Sequence, residues 1–243
     1  MTSDPRVSVA GTKADLDRAA AEMVADAVAA TDGRFSMALS GGSTPRGLYQ
    51  LLASDAYRDR IDWAKVMVFF ADERCVSPDD PESNYGMVRE ALLSRVSIPA
   101  GNVHRMSGEA CSAPNAAQEY EWQLTAACPF GEACEVPELD LILLGIGDDG
   151  HTASLFPDTE ALGVMDRWVA ANPVPQLSTA RLTLTYPVLA AARRLVFLVA
   201  GASKSDIVRR VLADDPALPA ARALRLNPNA TLLLDSEAAS GLV

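Results

Sequence analysis

Short apolar runs alternate with amphipathic stretches along most of the chain. The runs FSMAL, VMVFFADE, LDLILLGIG, RLTLT, RLVFLVAG and ATLLLD have the length of buried strands. Residues 13–30, 83–96 and 113–127 repeat apolar side chains at helical spacing. Buried strands that alternate with helices are typical of parallel sheets with helical crossovers. We therefore predict an α/β fold with a doubly wound, mostly parallel, Rossmann-like sheet that is flanked by helices on both faces.

Local signals add detail to this pattern. Residues 6–10 predict an edge strand before the first helix. Pro45 suits the first turn of a helix that follows FSMAL, and Ser83 is a predicted N-cap of the 83–96 helix. The chain has no internal repeat and no low-complexity linker, so we expect residues 1–243 to form one domain.

Composition limits the class of protein. A chain of 243 residues with 49% hydrophobic content can bury a full core. It has neither a signal-peptide pattern nor an apolar run of the ~20 residues that span a membrane, so we expect a cytoplasmic protein. The four cysteines, Cys75, Cys111, Cys128 and Cys134, contain no CxxC pair. We therefore expect neither a disulfide framework nor a zinc ribbon.

The charge balance limits the partners. A net charge of −11 argues against general nucleic-acid binding, which needs a basic face to neutralise phosphates. A small anionic ligand remains compatible with it, because a few convergent cations dominate the potential inside a cleft. We expect a small-molecule partner, with no nucleic acid and no membrane, and the oligomeric state is left open between a monomer and a weak dimer.

Three predicted strands end in loops that could bind a ligand, because ligands bind beyond the carboxyl ends of parallel strands. SGGSTP is either a plain tight turn or a helix start whose free N–H groups meet an anion. Asp72, Glu73 and Arg74 end the second run, either as a solvated cap or as ligand contacts. Lys204 stands where a helix begins, so it opposes the helix dipole unless an anion lies between them; a surface lysine is the alternative.

The stretch GIGDDGHTASLFP carries His151, one of only two histidines. A structural role is the common fate of a lone histidine, but the turn before His151 would hold its ring at the strand end. Histidine can accept a proton near neutral pH. The chain lacks HExxH, an EF-hand spacing and GxSxG, so we interpret His151 as a general base or acid that works without a metal or a covalent intermediate.

A series of motifs runs in order between Ser40 and Lys204: LSGGSTPRGLY, VFFADERCVSPDDPESNYGMVREALL, NVHRM, DLILLGIGDDGHTASLFP, RLTLTYPVL and GASKSD. This series resembles the glucosamine-6-phosphate isomerase/6-phosphogluconolactonase family. Within it, the deaminases read DGHIAFNEP, with a glutamate where this chain has Phe156, and DEY where it has Asp72 to Arg74. Both departures favour the lactonases.

The resemblance implies hydrolysis of 6-phospho-D-glucono-1,5-lactone to 6-phospho-D-gluconate in the oxidative pentose phosphate pathway, with no cofactor and no metal. It implies that His151 activates water, that Arg74 stabilises charge and that Asp72 orients a hydroxyl or the base. Arg74 and Arg181 could exchange roles. The implied substrate-binding residues are Gly41, Gly42, Ser43, Asn84, Asp149, Arg181 and Lys204, of which Asp149 would also fix the His151 loop.

Two other functions stay open at this point. One is a deaminase-like sugar-phosphate enzyme. The other is a non-catalytic sugar-phosphate sensor, which usually carries an added DNA-binding module. The chain has no basic helix for such a module, which weighs against the sensor.

Overall fold

A computed structural model describes residues 4–111, 115–130 and 136–242. The strands are β1 Val7–Ala10, β2 Phe35–Leu39, β3 Val66–Phe70, β4 Asp72–Arg74, β5 Leu141–Leu144, β6 Val169–Val174, β7 Thr179–Leu184, β8 Leu195–Val199 and β9 Ala230–Asp235. Six of them form one sheet in the order β1-β9-β8-β5-β2-β3, and every neighbouring pair in it is parallel. Strands β2, β3, β5 and β8 are buried throughout, as their apolar runs predict.

Helices flank this sheet. They are α1 Lys13–Ala30, α2 Ser43–Leu52, α3 Asn84–Ala91, α4 Ala116–Ala127, α5 Tyr186–Ala191, α6 Ser205–Leu212 and α7 Pro219–Leu226. The predicted cap is confirmed, because the Ser83 hydroxyl accepts the N–H of Gly86 in the first turn of α3. The predicted 83–96 helix is shorter than expected, and the predicted start of the next helix at residue 113 lies outside the described residues. The α/β doubly wound fold is confirmed.

A second sheet was not predicted. Strands β4, β7 and β6 pair antiparallel in that order. The prediction of one continuous strand over 66–73 is therefore wrong, because the chain changes sheets at Ala71. The Ala71 N–H donates to Leu39 O in the parallel sheet, and its carbonyl accepts the N–H of Leu184 from the antiparallel sheet. An apolar run reports burial and not the pairing partner, so the run itself does not show this change.

The small sheet also contains a strand that the sequence pattern hides. Strand β6 reads VAANPV, and its Pro173 and Asn172 interrupt the apolar signal. The run 181–185 was expected to continue the alternation of parallel strands, but it belongs to β7 and pairs antiparallel on both sides. Buried side chains of both sheets form one hydrophobic cluster.

The sequence predicted no disulfide framework, and it gave no sign of the single disulfide that the structure contains. Cys75 and Cys111 form a disulfide with a Cα–Cα distance of 5.3 Å, across a sequence separation of 36 residues. Cys128 is buried with a free thiol, and Cys134 lies outside the described residues. No spacing rule identifies such a pair, because only the packing of residues 104–111 beside β4 brings the two cysteines together.

The order of the strands creates a crevice. Strands β2 and β5 are neighbours, but β2 leads to β3 on one side and β5 leads to β8 on the other. In open α/β sheets, ligands bind at such a switch point, beyond the carboxyl ends of the strands. Among the described residues, no helix combines the length and the apolar character that a membrane crossing requires.

The disulfide gives a prediction about stability. Replacing both Cys75 and Cys111 by Ser should lower the free energy of unfolding by about 2–4 kcal/mol, because the crosslink restricts the unfolded chain. Denaturant unfolding under oxidising conditions measures the difference. A reductant should bring the native protein to the stability of the double variant and leave that variant unchanged. If the reductant left the free energy of unfolding of the native protein unchanged, this result would contradict the presence of the crosslink.

Candidate active site

A cavity of about 510 Å³ lies at the switch point. It is lined by loops that follow β2, β5 and β8 of the parallel sheet and by residues of β4 and β7 from the antiparallel sheet. The structure brings all the predicted site residues to this one cavity: Gly41, Gly42, Ser43, Asp72, Arg74, Asn84, Asp149, His151, Arg181 and Lys204. Residues 163 positions apart in sequence therefore share one ligand-sized space.

The SGGSTP loop forms one wall and leads into α2. The backbone of Gly42 has φ +104°, a conformation that residues other than glycine rarely adopt. Gly41 has no room for a side chain, because a Cβ there would lie 1.7 Å from Asn84 Oδ1. The Tyr49 hydroxyl donates to Ser40 O at 2.8 Å and secures the loop. Within residues 4–111, 115–130 and 136–242 no side chain caps α2, so its first N–H groups are available to an anion.

His151 is held by the loop that follows β5. Its Nδ1 lies 2.6 Å from Asp149 Oδ1, and its backbone N–H donates to the same oxygen at 3.1 Å. The side chain is 30% exposed. With Nδ1 donating to the carboxylate, Nε2 carries the lone pair that can accept a proton. Both contacts join His151 to Asp149, two residues earlier in the loop.

Asp72 is buried in the cavity wall with two side-chain partners. Ser154 Oγ donates to Asp72 Oδ2 at 2.6 Å, and Asn84 Nδ2 donates to Asp72 Oδ1 at 3.1 Å. Asn84 Nδ2 also donates to the Asp72 carbonyl at 2.9 Å. Asn84 was expected to contact the sugar, but its amide donors are both directed at Asp72. Ser154 was not predicted as a site residue, although it lies in the same motif as His151.

The neighbouring carboxylate has a different use. Glu73 is 2% exposed and does not line the cavity. It accepts the N–H groups of Arg74, Asn84 and Tyr85 at 2.7, 2.7 and 2.8 Å, and the Ser83 hydroxyl at 3.1 Å. Burial raises the pKa of Glu73, although the three backbone N–H donors oppose the rise. Its carboxylate joins β4 to the start of α3 and thereby places Asn84.

Two arginines lie side by side across the antiparallel sheet. Arg74 and Arg181 are register partners in β4 and β7. Burial, with the positive charge of Arg74, lowers the pKa of Arg181. Within the described part of the chain, neither arginine forms an ion pair with a carboxylate, whereas most of the other arginines do. Adjacent cations without a carboxylate partner favour an anionic ligand.

Lys204 has a partner that the sequence did not identify. Its Nζ donates to Ile146 O at 2.9 Å and to Asp148 Oδ1 at 2.5 Å. Lys204 lowers the pKa of Asp148, whose side chain is 84% exposed. The conflict between Lys204 and the nearby helix start is thus relieved by a carboxylate of the β5 loop. An incoming anion would compete with Asp148 for this lysine.

The second histidine is not part of the site. His104 stacks on Phe69 with ring centroids 4.6 Å apart, and it does not line the cavity. Burial lowers the pKa of His104. Among residues 4–111, 115–130 and 136–242, no cluster of three His, Cys, Asp or Glu side chains could hold a metal ion.

Residues 11–233 match the model of the family described as glucosamine-6-phosphate isomerases/6-phosphogluconolactonase. The chain belongs to this family. Among its relatives, the 6-phosphogluconolactonase of Nostoc sp. is 44% identical over 213 residues, which cover 86% of this chain and 84% of that protein. The 6-phosphogluconolactonase of Haemophilus influenzae is 37% identical over 83% of this chain and 85% of its own length.

Solved structures of other proteins have the same fold. The 6-phosphogluconolactonase of Leishmania guyanensis matches with a TM-score of 0.86 and 34% identity, over 98% of this chain and 99% of that one. A monomeric glucosamine-6-phosphate deaminase matches with a TM-score of 0.83, but at 22% identity, so this likeness concerns the fold alone.

The contact between Gly41 and Asn84 gives a prediction about the cavity wall. Gly41→Ala should lower the free energy of unfolding by about 1–3 kcal/mol, because the new Cβ would overlap the Asn84 amide. Gly145→Ala is the matched control, since Gly145 lines the same cavity and a Cβ there meets nothing within 4 Å. Chemical denaturation of both variants measures the difference. Equal stabilities would contradict the close approach at Gly41.

Proposed function

We propose that this chain hydrolyses 6-phospho-D-glucono-1,5-lactone to 6-phospho-D-gluconate, a step of the oxidative pentose phosphate pathway. Its relatives in the family carry the lactonase name over most of its length. The observation that carries the proposal is the His151–Asp149 pair, which lies in one cavity with two arginines that have no carboxylate partner among the described residues. This combination offers a base for water and positive charge for a phosphorylated substrate.

His151 is the proposed general base. Its Nε2 takes a proton from water, and the water oxygen bonds to the lactone carbonyl carbon. The tetrahedral intermediate then collapses, the bond from that carbon to the ring oxygen breaks, and His151 returns the proton to the leaving hydroxyl oxygen. Asp149 holds Nδ1–H and stabilises the imidazolium that forms between the two transfers. Water is the only co-reactant, so the scheme uses no cofactor and no metal.

Cations and backbone donors would bind the two ends of the substrate. We assign Arg74 to the oxyanion that develops on the carbonyl. Arg181 and Lys204 would bind the phosphate, together with the uncapped N–H groups around Gly42 and Ser43 at the start of α2. Phosphate would replace Asp148 as the partner of Lys204. The opposite assignment of the two arginines is the alternative.

The buried polar groups would orient the sugar ring. Asp72 retains acceptor capacity beyond the Ser154 and Asn84 hydrogen bonds, and it lines the cavity. We propose that it accepts a hydrogen bond from a substrate hydroxyl. Asn84 would influence sugar binding indirectly, because it holds the Asp72 carboxylate in place and packs against Gly41 in the cavity wall.

We propose that residues 1–243 act as one domain, since side chains of both sheets share a hydrophobic cluster. A small sugar phosphate is the proposed partner, and the cytoplasm is the proposed compartment. For the oligomeric state we keep the alternatives of a monomer and a weak dimer.

Removal of the histidine tests the proposed base. His151→Ala should lower kcat by about 10²–10⁴-fold while 6-phosphogluconate still binds, because the ring moves protons and the cations hold the ligand. A coupled assay on fresh lactone, corrected for spontaneous hydrolysis, measures turnover, and calorimetry measures binding. His104→Gln is the control and should keep its activity. A His151→Ala variant with native turnover would refute the general base.

Removal of the cations tests their assignment. Arg181→Ala and Lys204→Ala should each weaken 6-phosphogluconate binding about tenfold, the loss of a hydrogen-bonded charge partner, with a smaller effect on kcat. Arg74→Ala should mainly lower kcat. Arg34→Ala, at an exposed residue outside the cavity, is the control. If Arg181→Ala lowered kcat and Arg74→Ala weakened binding, the two arginines would have to exchange roles.

An ammonia assay distinguishes the lactonase from a deaminase. Where the deaminase motif has glutamate, this chain has Phe156, whose ring is stacked on His151 and cannot ionise. Incubation with glucosamine 6-phosphate should therefore release no ammonia. Ammonia release at a rate comparable with lactone hydrolysis would contradict the assignment to the lactonases.

A further inference from the structure

Two aromatic rings meet on the loop that carries the proposed base. The rings of His151 and Phe156 are stacked, with centroids 4.1 Å apart and an interplanar angle of 28°. Both residues line the cavity. Phe156 is only 7% exposed, yet it is not part of the hydrophobic cluster that joins the two sheets. Phe156 therefore packs in the cavity wall against His151.

The chain between the two rings is shaped to bring them together. Ala153 has φ +47°, which is rare for a residue other than glycine and costs free energy. The Leu155 N–H donates to Thr152 O at 2.9 Å, so the segment doubles back on itself. The Thr152 hydroxyl donates to Gly145 O at 2.9 Å and anchors the turn to the end of β5. This strained turn places residue 156 against residue 151.

Two further contacts of the imidazole in the described part of the chain lie along one edge of the ring. Asp149 binds one atom, Nδ1. Gly147 approaches the same edge, since a Cβ there would lie 2.1 Å from Nδ1 and 2.2 Å from Cε1. The imidazole turns about its Cβ–Cγ bond, and any such turn moves Nε2; the hydrogen bond at Nδ1 opposes the turn from one edge of the ring only. An aromatic face stacked on the ring restricts this motion.

We infer that Phe156 is a positioning residue for His151, which sets the plane of the imidazole and so the direction in which Nε2 meets the attacking water. The inference rests on the proposed role of His151 as the base. A base must lie in line with the proton that it accepts, and a small misplacement costs rate without weakening substrate binding. The flat face of Phe156, and not merely its apolar volume, is the required property.

Kinetics of three variants test the inference. Phe156→Leu and Phe156→Met keep an apolar side chain but lose the flat face, so kcat should fall about tenfold or more at nearly constant KM. Phe156→Tyr keeps the ring and should retain most of the native kcat. Phe35→Leu, a buried phenylalanine of β2 outside the cavity, controls for the loss of an aromatic ring. Native kcat in the Leu or Met variant would overturn the inference, as would an equal loss in the Tyr variant.

Nuclear magnetic resonance provides a readout that is independent of turnover. The chain has two histidines, and both stack on a phenylalanine, so His104 on Phe69 serves as an internal reference. In Phe156→Leu, the ring protons of His151 should lose their ring-current shift while those of His104 stay in place. Unchanged His151 resonances would show that the ring does not depend on Phe156.

The His151→Ala variant separates the two proposals. If His151→Ala is inactive and Phe156→Leu keeps native kcat, the general base stands and the positioning role fails. If His151→Ala keeps native turnover, the proposed mechanism fails, and the positioning role fails with it.

Discussion

Two consecutive buried carboxylates, Asp72 and Glu73, are the constraint on which the rest of the site depends. A buried carboxylate is costly unless hydrogen-bond donors surround it, so each one determines the position of its donors. Successive strand residues point to opposite sides, and β4 therefore directs Asp72 to the cavity and Glu73 to the start of α3. Asn84 is bound by both: its backbone N–H meets Glu73 and its amide meets Asp72. The position of β4 therefore determines where Asn84 lies in the cavity wall.

The second constraint is the sharing of hydrogen bonds between the sheets at Ala71. The parallel sheet supplies loops rich in glycine and backbone donors, which suit a phosphate. The antiparallel sheet supplies Arg74 and Arg181 on adjacent strands. Because Ala71 bonds to both sheets, the glycine-rich loops of the parallel sheet and the two arginines of the antiparallel sheet line the same cavity. His151 lies between them on a loop tied to each sheet, through Gly145 and through Ser154.

Comparison of individual elements shows why sequence patterns succeed for some and fail for others. Strands β2 and β9 have the predicted bounds, since the mostly apolar composition of each run is itself the cause of its burial. The sequence pattern did not predict strand β6. Asn172 is a polar residue that is buried because its amide donates to Ser154 O and Thr159 Oγ1, and a hydrophobicity pattern does not show such hydrogen bonds. The Cys75–Cys111 disulfide was not predicted either, because it depends on the packing of distant segments and not on a local pattern.

The sequence by itself determined the fold class, the order of the main strands and helices, and which residues stand at the ends of the strands. These features follow from local burial and turn patterns, and the shared carboxyl edge of a parallel sheet brings such residues into one cleft. Only the tertiary structure decided what each residue touches: Lys204 meets Asp148, and Asp72 meets Ser154 across 82 positions. Hydrogen bonds and ring stacking require specific distances and angles, which depend on how distant segments pack and not on their local pattern.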